Sequence, residues 1–319
     1  MGEEWRRGWH PERAAARASG DPVLVVGAGP AGLECALHLA RRGYPVTLAE
    51  AGRELGGRAL AEARLPGLAS WKRVADYRVQ ALRQMGNVEI YRDSLLSADD
   101  VLGFGFAHVF LATGATWRAD GIGRRLRRPA PGLEGAFTPD DILAGRMPHG
   151  RVLVYDDDHA YLGGVLAEAV KAAGHDVVLV TPAAEVSAWT ANTLEQKRIQ
   201  RRLLELGVEI VTARGLARVD GGRAVLDCVY TGRTIETACD AVLTVTERQP
   251  DDALARLLRA EPGRLADAGI ATLHVIGDAL APGLIAAAVY SGHAAARHFQ
   301  ADPAAVDAEL YRRELPALT

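Results

Sequence analysis

The sequence predicts an α/β fold built from two doubly wound lobes, and three observations carry that prediction. Short apolar runs, of which Val23-Leu24-Val25-Val26 is the first, have the composition of parallel strands buried on both faces. A helical stretch closed by a glycine follows that run, and a second apolar run follows the glycine. The same plan restarts near residue 150. A chain of 319 residues has room for about two domains of ordinary size.

The elements follow in order. Val23 to Val26 reads as a strand, Ala31 to Arg42 as a helix with Gly43 at its C-cap, and Val46-Thr47-Leu48-Ala49 as the strand completing a β-α-β unit. Val109-Phe110-Leu111-Ala112 is a third strand, running into Thr113-Gly114 and a loop rich in Arg, Gly and Pro. In the second lobe Val152-Leu153-Val154-Tyr155 is a strand, Leu162 to Ala173 a helix closed by Gly174, and Val177-Val178-Leu179-Val180 the next strand. Leu273-His274-Val275-Ile276 and a helix from Leu284 to Phe299 return the chain to the first lobe, which is therefore discontinuous. The expected boundaries are a linker over 1–20, a cofactor lobe over 21–149 plus 246–319, and a second lobe over 150–245.

Bulk properties exclude several classes. With 49% hydrophobic and 24% charged residues the chain can bury substantial cores, so disorder is not its main state. A formal charge of −3 offers no electrostatic footprint for nucleic acid. Cys35, Cys228 and Cys239 include no C-x-x-C spacing, which excludes a redox dithiol of that type and a four-cysteine iron–sulfur site within these residues. Cys35 reads as a small core residue. No run approaches the roughly 20 apolar residues of a membrane span. Met1 to Arg17 lacks the apolar stretch of a secretory signal, so the expected location is cytoplasmic. The nine histidines are scattered, none pairs at metal-ligand spacing, and no metal ligand is assigned.

Chemistry concentrates first in Gly27-Ala28-Gly29-Pro30-Ala31-Gly32, a G-x-G-x-x-G match placed between a buried strand and a helix. Gly27 permits the tight turn, Gly29 lets backbone amides approach a pyrophosphate, and Gly32 allows the helix to pack on the strand, in the manner of a Rossmann unit. Pro30 and Ala31 complete the loop. Glu50 ends the next strand, where a carboxylate accepts from ribose hydroxyls and disfavours a 2′-phosphate; Ala51 adjoins it. Gly56-Gly57-Arg58 then lets the chain pass close to a phosphate that Arg58 can neutralise. Leu111-Ala112-Thr113-Gly114 resembles the A-T-G turn of two-dinucleotide flavoproteins, and Gly277-Asp278-Ala279 resembles their late G-D motif. Together these motifs select FAD at the first site, with ADP in its place if the flavin half is not held.

From these motifs outward the chain resembles the C-terminal half of the trimethylamine dehydrogenase family, which includes dimethylamine and histamine dehydrogenases and, more distantly, 2,4-dienoyl-CoA reductase. The resemblance runs through Gly2 to Glu12, Leu65-Pro66-Gly67-Leu68 with Trp71, Ala98 to Val101, Thr113 to Gly121, Gly277 to Pro282 and Ser291-Gly292-His293. It implies lobes of the glutathione-reductase-like FAD/NAD(P)-binding type. It also implies an oxidoreductase component of the amine-demethylating kind, whose partner is an FMN/iron–sulfur TIM barrel that is not encoded here. An external electron carrier would be a further partner. No residue is assigned to catalysis, because the family's amine-oxidising residues lie in that barrel.

The second lobe departs from a nucleotide site. After Val152 to Tyr155 the chain reads Asp156-Asp157-Asp158-His159-Ala160-Tyr161-Leu162-Gly163-Gly164, with carboxylates where a pyrophosphate would arrive. A degenerate lobe without nicotinamide is expected, its aspartates forming a solvated helix N-terminus. Arg124, Arg125, Arg127 and Arg128 read either as a solvated loop or as a docking patch for an acidic partner.

Overall fold

A computed structural model describes residues 16–260 and 262–302. Most of the expected 1–20 linker, with Trp5, Trp9 and the Gly2–Glu12 segment, lies outside the described residues. Strand β1 (Val23–Val26), helix α1 (Pro30–Arg41) and strand β2 (Val46–Ala49) come first. Helices α2 (Gly57–Glu62) and α3 (Lys72–Arg83), strand β3 (Val88–Tyr91), helix α4 (Ala98–Gly103) and strand β4 (His108–Leu111) follow. Next are β5 (Ala115–Trp117), α5 (Pro139–Leu143), β6 (Arg151–Asp156), α6 (Tyr161–Ala172), β7 (Asp176–Val180), α7 (Gln196–Glu205) and β8 (Glu209–Val211). Strands β9 (Arg214–Asp220), β10 (Arg223–Cys228), β11 (Thr234–Ala238), β12 (Ala241–Val245) and β13 (Arg248–Pro250) lead to α8 (Ala253–Ala260) and α9 (Pro262–Asp267). Strand β14 (Thr272–Val275) and helix α10 (Ile285–His298) complete the described order.

The chain divides into two units. Unit 1 takes the described residues of Met1–Ala59, Arg73–Gly114 and Asp251–Thr319, and unit 2 takes Leu60–Lys72 and Ala115–Pro250. This division differs from the expected boundaries for 60–72, 115–149 and 246–250, which group with unit 2 for visible reasons. Glu62 accepts a hydrogen bond from the Tyr161 hydroxyl at 2.7 Å, and the Trp71 ring meets the Tyr161 ring at 4.5 Å. Strand β5 pairs antiparallel with β13, and Phe137 exchanges backbone hydrogen bonds with β12 through Val242 and Thr244.

Unit 1 carries a five-stranded parallel sheet in the order β14-β4-β1-β2-β3. Because side chains alternate along a strand, Val23 and Val25 enter one core while Leu24 and Val26 enter the other. Helix α1 lies in the first of these cores, burying Leu33, Cys35, Ala36, Leu37 and Leu39. It stops where Gly43 adopts φ +95°: the Gly43 amide donates to Ala40 and the Tyr44 amide to Leu39, so the last carbonyls are satisfied by a Schellman turn. Order reverses at β1, which has β2 on one side and β4 on the other. That reversal opens the crevice at the carboxyl ends of β1 and β4, where doubly wound sheets place ligands.

Unit 2 repeats the device with a four-stranded parallel sheet, β12-β6-β7-β8. Val152 and Val154 of β6 face one core, Leu153 and Tyr155 the other. Helix α6 ends on the same turn as α1, with Gly174 donating to Lys171 and His175 to Val170. Unit 2 adds an antiparallel sheet, β11-β10-β9, absent from the expected β-α-β repeat. Its first hairpin turns on Gly221-Gly222, both at positive φ, a two-residue loop matched to strand twist.

Candidate dinucleotide site

The site begins where β1 runs out. Gly27 takes φ +97° and its amide donates to Ala49 at 2.7 Å, while a Cβ there would strike the Ala112 carbonyl. A Cβ on Gly32 would in turn strike the Gly27 carbonyl, so the first turn of α1 lies directly on the strand end. Helix α1 starts at Gly29 with Pro30 in its first turn, no side-chain cap and no acidic residue in that turn. Ala31 and Gly32 are buried, and helical geometry leaves their amides without intrahelical partners. A helix start of this kind offers backbone donors and partial positive charge to an anion.

Several of the predicted residues of unit 1, namely Glu50, Gly57, Thr113 and Gly277, lie near that start. Glu50 is aimed by the backbone: the Ala28 amide donates to Oε2 at 2.6 Å and the Gly52 amide to Oε1 at 2.8 Å. Each oxygen keeps a lone pair for a further donor such as a ribose hydroxyl. The Gly56 amide donates to the Ala28 carbonyl at 2.9 Å, and a Cβ on Gly57 would come within 3.0 Å of the Gly29 Cα. Arg58 follows at the start of α2, half-buried, and Ala51 is exposed beside Glu50. On the other side the Thr113 hydroxyl donates to the Asp251 carbonyl at 2.5 Å, and the Asp251 amide returns a bond to Gly114 at 2.9 Å. Gly277 packs on the first turn of α1, where a Cβ would lie 2.5 Å from that of Ala31. The Gly277 amide donates to the Ser291 hydroxyl at 2.9 Å, and Asp278 accepts from the Gly283 amide at 3.0 Å.

Sequence reasoning gave Ser291 and Gly292 no role. Ser291 holds the Gly277 turn, and Gly292 is small because α10 crosses α1 there; a Cβ would strike the Ala31 carbonyl. Gly292 sits in a run of small residues that reads as an ordinary helix face, so only the crossing reveals it.

The corresponding place in unit 2 is filled by the chain itself. Asp156 and Asp157 are 0% exposed, which corrects the expectation of a solvated acidic helix start. Asp156 is the last residue of β6, and its carboxylate lies against Gly163 of α6 while Oδ1 accepts from the His159 amide at 2.9 Å. Asp157 accepts from the Arg125 amide at 2.8 Å, and the Arg124 guanidinium donates to the Asp158 carbonyl at 3.1 Å. Burial and then the neighbouring Asp158 push the Asp156 carboxyl well above the usual carboxylate range. Burial raises that of Asp158 as well. Arg125 also pairs with Asp227, so half of the arginine run is engaged locally, while Arg127 and Arg128 are exposed.

Residues 21–292 match the pyridine nucleotide-disulphide oxidoreductase family. The chain belongs to that family. It is homologous to the C-terminal portion of the dimethylamine and histamine dehydrogenases. Dimethylamine dehydrogenase from Hyphomicrobium sp. (strain x) is 38% identical over 95% of this chain and 45% of that protein. The structure of histamine dehydrogenase from Rhizobium sp. 4-9 superposes with a TM-score of 0.90 at 52% identity, over 93% of this chain and 47% of that one. The 6-hydroxypseudooxynicotine amine oxidase of Pseudomonas geniculata N1 follows with a TM-score of 0.89 at 44% identity, covering 94% and 45%. The chain thus spans about half the length of the relatives it matches. Among the described residues no helix is long and apolar enough to cross a membrane.

Proposed function

We propose that unit 1 holds FAD, with its ADP portion in the cradle of Gly27, Gly29, Pro30, Ala31, Gly32 and Glu50. The chain then acts as the cofactor-binding and electron-transfer component of a trimethylamine-dehydrogenase-like flavin oxidoreductase. One observation carries this reading: a buried, uncapped helix start faces a carboxylate already oriented by two backbone amides. Gly57, Thr113 and Gly277 lie against the glycine turn and the first turn of α1, and Arg58, Gly114 and Asp278 adjoin them in sequence as the further residues of the proposed site, with Ala51 beside Glu50. When bound, the flavin would supply the redox chemistry of the module. The residues named here orient its nucleotide end and exclude water from the pyrophosphate.

The kinship with dimethylamine and histamine dehydrogenases supports a partner carrying FMN and an iron–sulfur centre on a barrel, as a separate subunit or as another domain of one protein, located in the cytoplasm. Substrate amine would be oxidised on that partner, and electrons would leave through an external carrier. A nicotinamide nucleotide is a poor occupant of unit 2, because buried Asp156 and Asp157 stand at the helix start where its pyrophosphate would lie.

A visible spectrum of the purified protein, followed by mass analysis of heat-released ligand, tests the reading. A flavin band near about 450 nm with stoichiometric FAD is expected. Release of ADP from a colourless protein overturns the electron-transfer role and leaves a nucleotide-retaining structural module. NADH should not bleach the flavin; rapid bleaching would restore unit 2 as a nicotinamide site and make the chain a free-standing reductase.

A further inference from the structure

Helix α1 carries Glu34 and His38 one turn apart on the same face, and α10 brings His293 against them. The close approach of the two helices at Gly292 makes this meeting possible, since any side chain there would hold α10 away from the Ala31 carbonyl. His38 Nε2 lies 2.9 Å and His293 Nδ1 3.0 Å from the same oxygen, Oε1 of Glu34. Arg78 takes the other oxygen, its Nε reaching Oε2 at 2.5 Å while its Nη1 is anchored on the Val74 carbonyl. The imidazole rings stand edge to face at 4.2 Å. Among the described residues this is the one group of three metal-ligand side chains whose donor atoms all lie within 4.8 Å of one another.

We propose that Glu34, His38 and His293 form a binding site for a single divalent transition ion, with Zn2+ as the representative species. Two imidazoles and one carboxylate are a donor set suited to borderline ions. Bonds of about 2.0–2.2 Å in a tetrahedron place donors about 3.3–3.5 Å apart, so the two nitrogen–oxygen separations need to lengthen by a few tenths of an ångström, and the two nitrogens, within 4.8 Å of each other, to settle at the same spacing. Arg78 fixes the orientation of the ligating carboxylate through its second oxygen, as outer hydrogen bonds do around bound metals. The Glu34 side chain is 7% exposed and that of His293 32%, so the fourth position opens towards solvent on the His293 side. Burial acts to raise the Glu34 pKa, but the hydrogen bonds from His293 and His38 and the Arg78 charge outweigh it and hold the carboxyl well below its usual range. An ion there would rivet α1, whose start forms the nucleotide cradle, to α10.

The test uses the untagged full chain after treatment with a chelator. Added Co2+ should give the visible bands of a tetrahedral site with one ion per chain, which Zn2+ then displaces. The Tm should rise with the logarithm of added Zn2+. His293→Ala and His38→Gln should each weaken Zn2+ binding at least about tenfold. Both should keep the far-ultraviolet spectrum of the parent, and replacing His149 and His175, whose rings stand 5.8 Å apart elsewhere, should leave binding unchanged. Equal Zn2+ affinity in the parent and the His293→Ala chain overturns the proposal, as does dependence on His149 and His175. Absence of stoichiometric binding leaves the cluster as a hydrogen-bonded helix clamp and equally refutes the site.

Discussion

Helices α1 and α6 begin the same way and end the same way, yet different atoms meet their first turns. Both follow a parallel strand buried on two faces, both start without a side-chain cap, and both close on a Schellman glycine. At α1 the neighbours of the first turn include Gly27, Gly57 and Gly277, which carry no side chain, and the Glu50 carboxylate is held by the Ala28 and Gly52 amides. At α6 the strand's own carboxylate lies against Gly163. The scaffold is shared, and the atoms at the strand end differ.

The largest effect expected from breaking this contrast comes from Gly32→Ala. The added methyl meets backbone, which cannot swing aside, so a stability loss of about 3 kcal/mol is expected together with loss of bound nucleotide. Urea unfolding and ligand release measure both. Next is Glu50→Ala, which removes a charged acceptor while leaving the turn. Adenosine-diphosphate affinity should fall about 10- to 100-fold, the equivalent of one or two charge-assisted hydrogen bonds, as calorimetry would read.

Asp156→Asn sharpens the contrast from the other side. The folded-state pKa of this carboxyl is raised by burial, so ionisation disfavours folding. The penalty is absent in acid and grows as pH climbs from the ordinary carboxylate range towards neutrality. The substitution should therefore raise stability by about 1 kcal/mol at about pH 8 and change it little at about pH 4. A parent-like pH profile in the variant would remove the buried charge from the account. The smallest effect belongs to Arg127→Ala and Arg128→Ala, exposed in the loop near the same strand end, each within about 0.5 kcal/mol of the parent.

The glycine turn between β1 and α1 was legible because its parts are local: a glycine pattern, the strand before it and the carboxylate after it lie within a short stretch. Parallel strands were legible for a similar reason, since burial on both faces leaves runs such as Val152 to Tyr155 wholly apolar. The aspartates of unit 2 misled because acidity suggests water, whereas the alternation of β6 and the fold-back of Arg124 and Arg125 enclose them. The antiparallel strands β9 to β11 announce themselves only through Gly221-Gly222 and a mixed alternation. His38 and His293 stay apart in sequence and meet only through the helix crossing at Gly292, so their spacing carried no signal.

The reciprocal bonds that join Thr113 and Gly114 to Asp251 bear on how such a protein could come to be. The points where the chain leaves unit 1 after Gly114 and re-enters it at Asp251 already touch, so everything between them amounts to a long excursion from one spot. Closing that gap in a shortened chain would cost little loop entropy. Recombination could have added the stretch or exchanged it while the sheet of unit 1 kept its strand order.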